Sequence, residues 1–253
     1  ARVVRLRVAP RRQARMPAME RLIVATIAIG LVVDSRGGAH GQLAVNLLAW
    51  AAFARLWLVS APAQRPALLA CLVYATAGEV FLSLAWGLYD YRLGNIPLFV
   101  PPGHVLLFHL GSRLATRLAD GAEWWIAALA LPVVAGLALA GRDTLGPFLY
   151  ALFLACMALS ASRKLYATML VLALAMELWG TWLGNWTWRS EVPWLGLVTA
   201  NPPLAAGAFY AALDMLVVGT VAAWRRQSPA SPILTPSTAS HQAATCSARS
   251  SSR

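Results

Sequence analysis

Two glutamates, Glu79 and Glu177, each lie inside a long apolar stretch of the sequence. An ionisable residue is costly in such a stretch, and within membrane segments it marks a candidate functional site. An uncharged carboxylic acid in an apolar cavity can donate a proton, and a carboxylate can accept one. We therefore predict that the two glutamates form a general acid–base pair or a proton relay. The alternative is that each one bonds a neighbouring helix and stabilises the bundle.

The residues that follow the two glutamates form nearly the same series twice. Segments 86–92 and 183–189 each end in an aromatic-x-aromatic-Arg edge. Each is then followed by a β-branched residue before proline, Ile96-Pro97 or Val192-Pro193, and by a Pro-Pro pair. Corresponding residues stay near 100 positions apart, which predicts an internal duplication. The predicted halves, 22–112 and 124–224, each hold four helices, so they form parallel repeats about an axis along the membrane normal.

The composition predicts an all-α, polytopic membrane helical bundle. The chain has 253 residues, of which 59% are hydrophobic and 12% charged, whereas about a quarter are charged in soluble domains. The formal net charge is +11, but the basic residues flank apolar runs as in the positive-inside pattern. We therefore expect membrane lipids as partners and no nucleic acid. The sequence predicts no particular oligomeric state.

Eight apolar runs approach the length of about 20 residues that a membrane helix needs. The first is short, but no small-x-small cleavage site follows it, so we expect an anchor rather than a signal peptide. The predicted inner segments are net basic, whereas each predicted outer loop pairs its Arg with an acid, so both termini are predicted to be cytoplasmic, in a bacterial inner membrane. We expect a basic N-terminus at 1–20, a membrane domain at 21–224 and a disordered tail at 227–253. The predicted spans are 22–34, 42–61, 67–89, 98–112, 124–140, 145–161, 165–187 and 204–224.

Several further residues are candidates for the same site. Asp214 lies about ten residues inside the last span and is expected to support the two glutamates as a third catalytic carboxyl. A second set is expected to bind a substrate. An interfacial aromatic belt is the alternative for Tyr89, Tyr91 and Trp186, and it is also the interpretation of Trp188 and Trp194. For His104 the alternative is a polar cap or an interface group at the start of a helix. That set is Trp86, Tyr89, Tyr91, Trp182, Trp186, Asn201 and His104.

We expect neither a metal nor a dissociable cofactor. His104 and His109 are five residues apart and do not share a helix face, and no nucleotide-binding loop or His-Glu-x-x-His motif is present. The three cysteines are far apart, and we interpret them as free thiols. The proline-rich segments before the fourth and eighth spans either dip into the membrane or begin a helix with proline.

The segment Met176-Glu177…Leu183-Gly184-Asn185-Trp186-Thr187-Trp188 resembles a motif of carotenoid-pathway membrane proteins. These are the bacterial carotenoid hydratases and the small membrane-type lycopene cyclases, and the segment that begins at Glu79 resembles the same motif. The resemblance implies an acid that protonates a polyene double bond within the bilayer, followed by water addition or ring closure. The sequence departs from the cyclases because it lacks a clear Pro-x-Glu-Glu.

Three functions follow from these patterns. The first is an enzyme that acts on an apolar isoprenoid or lipid by intramembrane acid–base chemistry, with Glu79 and Glu177 as acid and base. The second is a proton-coupled transporter with the same carboxyls as its relay. The third is a membrane assembly partner without catalysis. The cytoplasmic halves of the helices are almost wholly apolar, which favours a pocket over a polar path through the protein.

Overall fold

The computed structural model describes residues 17–227, which form eight α-helices and four short strands. The predicted segments 1–16 and 228–253 lie outside the described residues. In chain order the elements are α1 (Ala18–Arg36), α2 (Gly38–Val59), α3 (Arg65–Glu79) with a π-helical turn (Val80–Ala85), β1 (Tyr89–Tyr91), α4 (Val100–Ala115), α5 (Ala122–Leu139), α6 (Gly146–Leu159), α7 (Arg163–Leu183), β2 (Trp186–Trp188), β3 (Glu191–Val192), β4 (Leu197–Val198) and α8 (Gly207–Gln227).

Five of these helices are long and apolar enough to cross a membrane: α2, α3 with its π turn, α5, α7 and α8. Helix α6 is apolar but has only 14 residues. Large hydrophobic side chains such as Leu58 and Leu139 are exposed on the outer faces, as expected where lipid replaces water. The helical bundle and its apolar surface indicate a membrane protein.

The first predicted span, 22–34, is shorter than the helix that the structure shows there, because α1 has 19 residues. The helix includes Glu20 and Asp34 near its ends, and both carboxyls are buried. Glu20 accepts a hydrogen bond from Arg117 at 2.9 Å, and Asp34 pairs with Arg92 at 3.6 Å. Because both charged residues have partners, the helix can include them and continue beyond the apolar run that the sequence pattern detects.

The predictions that helices three and seven reach residues 89 and 187 are wrong. The helical backbone ends at Ala85 and at Leu183. Gly87 and Gly184 follow these ends, and both have a φ of 74°, which only glycine adopts at little cost. Each glycine reverses the chain, so that the aromatic edge beyond it forms a strand instead of a last helical turn.

Helices α3, α4, α7 and α8 form the centre of the bundle. Helix α3 packs against α4 and α8, and α7 packs against the same two helices. The α1–α2 pair lies against α4 and α7, whereas α5 and α6 lie against α7 and α8. The strands β1 and β2 close one end of this central group.

Strands β1 and β2 pair antiparallel with Asp90 opposite Thr187 at their centre. Tyr89 lies opposite Trp188, and Tyr91 lies opposite Trp186. The ladder extends by one bond on each side: Arg189 N donates to Leu88 O, and Arg92 N donates to Asn185 O, both at 2.9 Å. The bonds are therefore arranged evenly about the Asp90–Thr187 pair.

The proline-rich connections differ between the halves. Pro101 and Pro102 lie in the first turn of α4, so proline begins that helix as one of the two interpretations predicts. Pro202 and Pro203 instead precede α8, which begins only at Gly207, and the Asn201–Pro202 bond is cis.

The start of α8 approaches α7 so closely that a side chain at Gly207 has no space. A Cβ there would lie 2.7 Å from Leu170 Cα and 2.8 Å from Leu170 O. Small residues permit such approaches in membrane bundles.

We expect Gly207→Ala to separate α7 from α8 and lower the unfolding free energy by about 1–3 kcal/mol, the usual cost of overpacking. Thermal unfolding in detergent measures this. Gly219→Ala, on the same helix with nothing within 4 Å of its Cβ, is the matched control and should be neutral or stabilising by up to about 1 kcal/mol. Equal melting temperatures for the two variants would contradict the close approach.

Candidate active site

The aromatic side chains of β1 donate hydrogen bonds to Glu79. The hydroxyls of Tyr89 and Tyr91 both donate to Glu79 Oε2, at 2.8 and 2.7 Å. Glu79 Oε1 accepts no hydrogen bond from the described residues. In the neutral acid, the two donors make Oε2 the carbonyl oxygen, so the acidic proton resides on Oε1.

The aromatic side chains of β2 bind Glu177 in the same way. The indole N–H groups of Trp186 and Trp188 both donate to Glu177 Oε2, at 2.8 and 3.0 Å. Tyr210, on α8, donates from its hydroxyl to the other oxygen, Oε1, at 3.2 Å. An indole nitrogen can only donate, and donors to both oxygens favour the charged form of a carboxylate.

A difference in spacing between the two glutamates and their strands coincides with the π turn of α3. Ten residues separate Glu79 from Tyr89, but nine separate Glu177 from Trp186. A π turn closes its hydrogen bond one residue later than an α turn and so holds one residue more. The turn begins directly after Glu79, which absorbs the additional residue and lets both strands reach their carboxyls.

Both glutamates line one pocket. Its walls come mainly from α1, α2, α4 and α7 and are largely apolar, with Ile27, Leu31 and Val45 among them. A smaller pocket lies towards α3 and α8. The two pockets share five residues, which therefore stand between them: Glu79, Tyr89, His104, Glu177 and Tyr210.

His104 lies inside this site and does not cap α4. Its ring stacks on Tyr210, with 4.3 Å between ring centroids and 13° between planes. Its Nε2 is buried and has no partner among the described residues. Thr26, on α1, also lines the larger pocket, and its buried hydroxyl is equally without a partner there.

The interfacial-belt interpretation is wrong for four aromatics. Tyr89, Tyr91, Trp186 and Trp188 are all buried, because their strands turn back over the helix ends. Trp194, at the tip of the β3–β4 hairpin, is 79% exposed. A buried indole or phenol needs a partner for its polar atom, and the two carboxyls supply it.

Three residues predicted to bind substrate lie elsewhere. Trp86 donates to Pro193 O at 3.2 Å and packs on Phe209 rather than lining the larger pocket. Trp182 is 74% exposed on the outside of α7. Asn201 accepts a bond from Trp188 N at 3.0 Å, so it supports a strand and does not line the pocket. Trp86 follows the end of the helix at Ala85, so its position is not set by the helix that holds Glu79.

Asp214 is fully buried but lies apart from the pocket residues. It is four residues after Tyr210 on α8, and neither of its carboxyl oxygens has a partner among the described residues. Asp214 therefore makes no hydrogen bond to either of the two glutamates that it is predicted to support.

Asp90 and Asp143, which lie outside the helices, have shifted pKa values. The guanidinium of Arg189 donates to Asp90 at 2.8 and 2.9 Å and lowers the pKa of that carboxyl. Burial raises the pKa of Asp143, although the Gly146 and Leu204 backbone N–H groups donate to it. Both residues hold connections in place at the strand end of the bundle, away from the pocket.

Comparison of the chain with protein-family models, with curated proteins and with solved structures finds no match. The resemblance to carotenoid-pathway proteins therefore stays a prediction. Within residues 17–227, no three His, Cys, Asp or Glu side chains form a group that could hold a metal ion. The site consists of carboxyls, aromatic donors and one imidazole.

The benzene ring of Trp186 lies directly on Gly180, where a Cβ would be 2.0 Å from the ring. We expect Gly180→Ala to push the indole away from Glu177 and to cost about 1–3 kcal/mol of unfolding free energy. Trp186→Phe shortens the ring, so Gly180→Ala should cost much less in that background. Gly136→Ala, with open space around its Cβ, is the control. Thermal unfolding of the four variants measures the coupling, and equal costs in both backgrounds would contradict it.

Proposed function

We propose that the protein is an intramembrane acid–base enzyme that protonates a carbon–carbon double bond of an apolar isoprenoid. The observation that carries this proposal is the pair of buried carboxyls, held by aromatic donors from paired strands and lining one apolar pocket. Two neighbouring carboxyls usually take the separate roles of acid and base when their surroundings stabilise different protonation states.

Glu79 is the acid in this proposal. Its Oε2 is occupied by two hydroxyl donors, which leaves Oε1 to carry the proton into the pocket. Transfer of that proton to one alkene carbon forms a C–H bond and leaves a carbocation on the other carbon. Tyr89, Tyr91 and Trp186 line the same space, and aromatic rings there would stabilise that cation.

Glu177 is the base. Donors to both of its oxygens favour the carboxylate, whose negative charge stabilises the carbocation across the pocket. At the end of the reaction Glu177 takes up the proton that ring closure or water addition releases. Return of this proton to Glu79 restores the site, so the proposed reaction needs no cofactor.

The test uses purified protein in lipid nanodiscs with deuterium oxide and the acyclic hydrocarbons squalene and lycopene. Mass spectrometry of the extracted lipids measures deuterium uptake and new products. Glu79→Gln and Glu177→Gln should each lower product formation at least about 100-fold, the lower range for loss of acid–base catalysis. Both should remain folded, because glutamine keeps the size of the side chain. Asp214→Asn should have a milder effect, since it lies outside the pocket.

Glu191→Gln is the control, because this exposed acid on β3 lies away from both carboxyls. Thermal unfolding of each variant separates lost chemistry from lost structure. Full activity of the Glu79→Gln, Glu177→Gln double variant would end the acid–base proposal and leave a structural role for the two carboxyls.

We further propose that all eight helices cross a bacterial inner membrane as two parallel four-helix repeats, with both termini in the cytoplasm. The ladder between β1 and β2 supports the repeats, because its bonds are even about one central pair. Basic residues at one end of the bundle support the orientation: Arg113 and Arg117 pair with Glu20, and Lys164 pairs with Asp120.

Reporter fusions test this topology. Fusions after Arg36, Arg92, Arg142 and Arg189 should report the periplasm, whereas a fusion after Arg117 should report the cytoplasm. The reason is that short basic segments stay on the cytoplasmic side. A cytoplasmic signal at any two of the first four positions would contradict eight spans.

A further inference from the structure

The last turn of α1 contains a carboxylate at a position that is unfavourable for one. Asp34 lies near the end of that helix, and the C-terminal end of a helix carries a partial negative charge. The residue is also only 1% exposed, and a buried charge is costly unless it is paired and hydrogen-bonded. A carboxylate at this position therefore depends on strong partners.

The partners of Asp34 come from one end of the β1–β2 ladder. Asn185 Nδ2 donates to Asp34 Oδ2 at 2.6 Å and to Leu31 O at 3.0 Å. Because both acceptors are oxygens, the contacts assign the orientation of this amide. Arg92 pairs with the Asp34 carboxylate at 3.6 Å, and its guanidinium also donates to the backbone oxygen of Asp34. One residue of α1 therefore contacts the residue that follows β1 and the residue that precedes β2.

Arg92 and Asn185 lie opposite each other at this end of the ladder, where Arg92 N donates to Asn185 O at 2.9 Å. Their neighbours in the strands are Tyr91 and Trp186, which donate to the carboxyls of the two glutamates. The contacts of Asp34 therefore set the position of two of the donors relative to α1.

Helix α1 is at the same time a wall of the larger pocket, because Ile27 and Leu31 line it. Leu31 takes part in both arrangements, since its carbonyl oxygen accepts the second bond of the Asn185 amide. The pocket wall and the strand pair are thus held in one position relative to each other.

We infer that Asp34 is a positioning residue for the site. Through Asn185 and Arg92 it holds the strand pair where Trp186 and Tyr91 reach their glutamates. Asp34 does not line the larger pocket, so it acts through these neighbours and not on a substrate. The expected effect on product formation rests on the proposed function, whereas the expected effect on the Trp186 hydrogen bond does not.

The first motif attaches the other end of the ladder in a different way. Leu88 takes the place of Asn185 in that motif. Its side chain is fully buried, and its backbone N–H donates to Leu82 O in the π turn at 2.9 Å. That end of the ladder is therefore attached to the helix of its own motif, whereas the Asn185 end is attached to α1. Asn185→Leu gives the second motif the residue that the first one has.

The test combines ultraviolet resonance Raman spectra with the nanodisc assay. The Raman spectrum of tryptophan reports whether the indole N–H donates a hydrogen bond, and subtraction of the matching Trp186→Phe protein isolates Trp186. Asp34→Ala and Asn185→Leu should each shift this signal towards that of a free indole. Each should also lower product formation about 100-fold, as misplacement by about 1 Å can.

Two further variants test the contact itself. Asp34→Asn keeps an acceptor for the Asn185 amide, so its Trp186 signal should stay closer to that of the wild type. It should lower product formation only about tenfold, as expected for one lost hydrogen bond to a charged group. The Asp34→Ala, Asn185→Leu double variant should lose no more than Asp34→Ala alone, because residues in one hydrogen-bond network are not additive.

Asp143→Ala is the matched control. Asp143 is also 1% exposed and lies at the strand end of the bundle, but its donors are Gly146 N and Leu204 N, outside β1 and β2. Its removal should lower the melting temperature and leave both the Trp186 signal and product formation unchanged. Should Asp34→Ala fail to fold, Asn185→Leu breaks the same contact with a residue that the first motif already buries.

The outcomes separate this inference from the proposed function. If the wild type forms no product but Asp34→Ala and Asn185→Leu shift the Trp186 signal, the proposed function fails and the positioning role stands. If neither variant shifts the signal, or Asp143→Ala shifts it equally, the positioning role is wrong whether or not the wild type is active. A shifted signal with product formation at the wild-type rate would also overturn it, because the bond would then not matter for the reaction.

Discussion

Burial of two carboxyls is the constraint on which this structure depends. A carboxyl removed from water needs hydrogen-bond donors, and most helices offer none because their backbone N–H groups are already used. The chain supplies donors from outside the helices, by reversing at Gly87 and Gly184 and pairing two three-residue strands. Each strand then places two aromatic donors on one glutamate. The strands are thus part of the site and not merely a connection at the end of the bundle.

The same arrangement gives the two glutamates different sets of hydrogen-bond donors. The donors to Glu79 are phenols on a single oxygen, whereas Glu177 receives two indoles on one oxygen and a phenol on the other. An indole N–H can only donate a hydrogen bond, while a phenol hydroxyl can also accept one. The replacement of tyrosine by tryptophan between the two motifs is therefore a chemical difference, which an analysis of hydrophobicity treats as neutral.

Much of the fold could be predicted from the sequence, because apolar runs of helical length are a strong local signal. Each predicted span overlaps one of the helices α1 to α8, and the recurrence of Glu79 and Glu177 identified the two carboxyls of the site. The strands could not be predicted from local pattern, since three residues give no alternation that can be measured and their pairing joins residues about 97 apart. This is why Trp188 was interpreted as part of an interfacial belt.

Other parts of the site left weaker signals that can be traced afterwards. The distance from glutamate to strand differs by one residue between the halves, and the π turn after Glu79 is where that residue is accommodated. In this chain, one additional residue in the first of two otherwise matched segments therefore coincides with a π turn, which lets both strands contact their glutamates. Thr26 and Tyr210 gave no comparable signal, because a single hydroxyl in an apolar helix commonly bonds its own backbone. Their role depends on which helices meet around the pocket, and only the assembled bundle determines that.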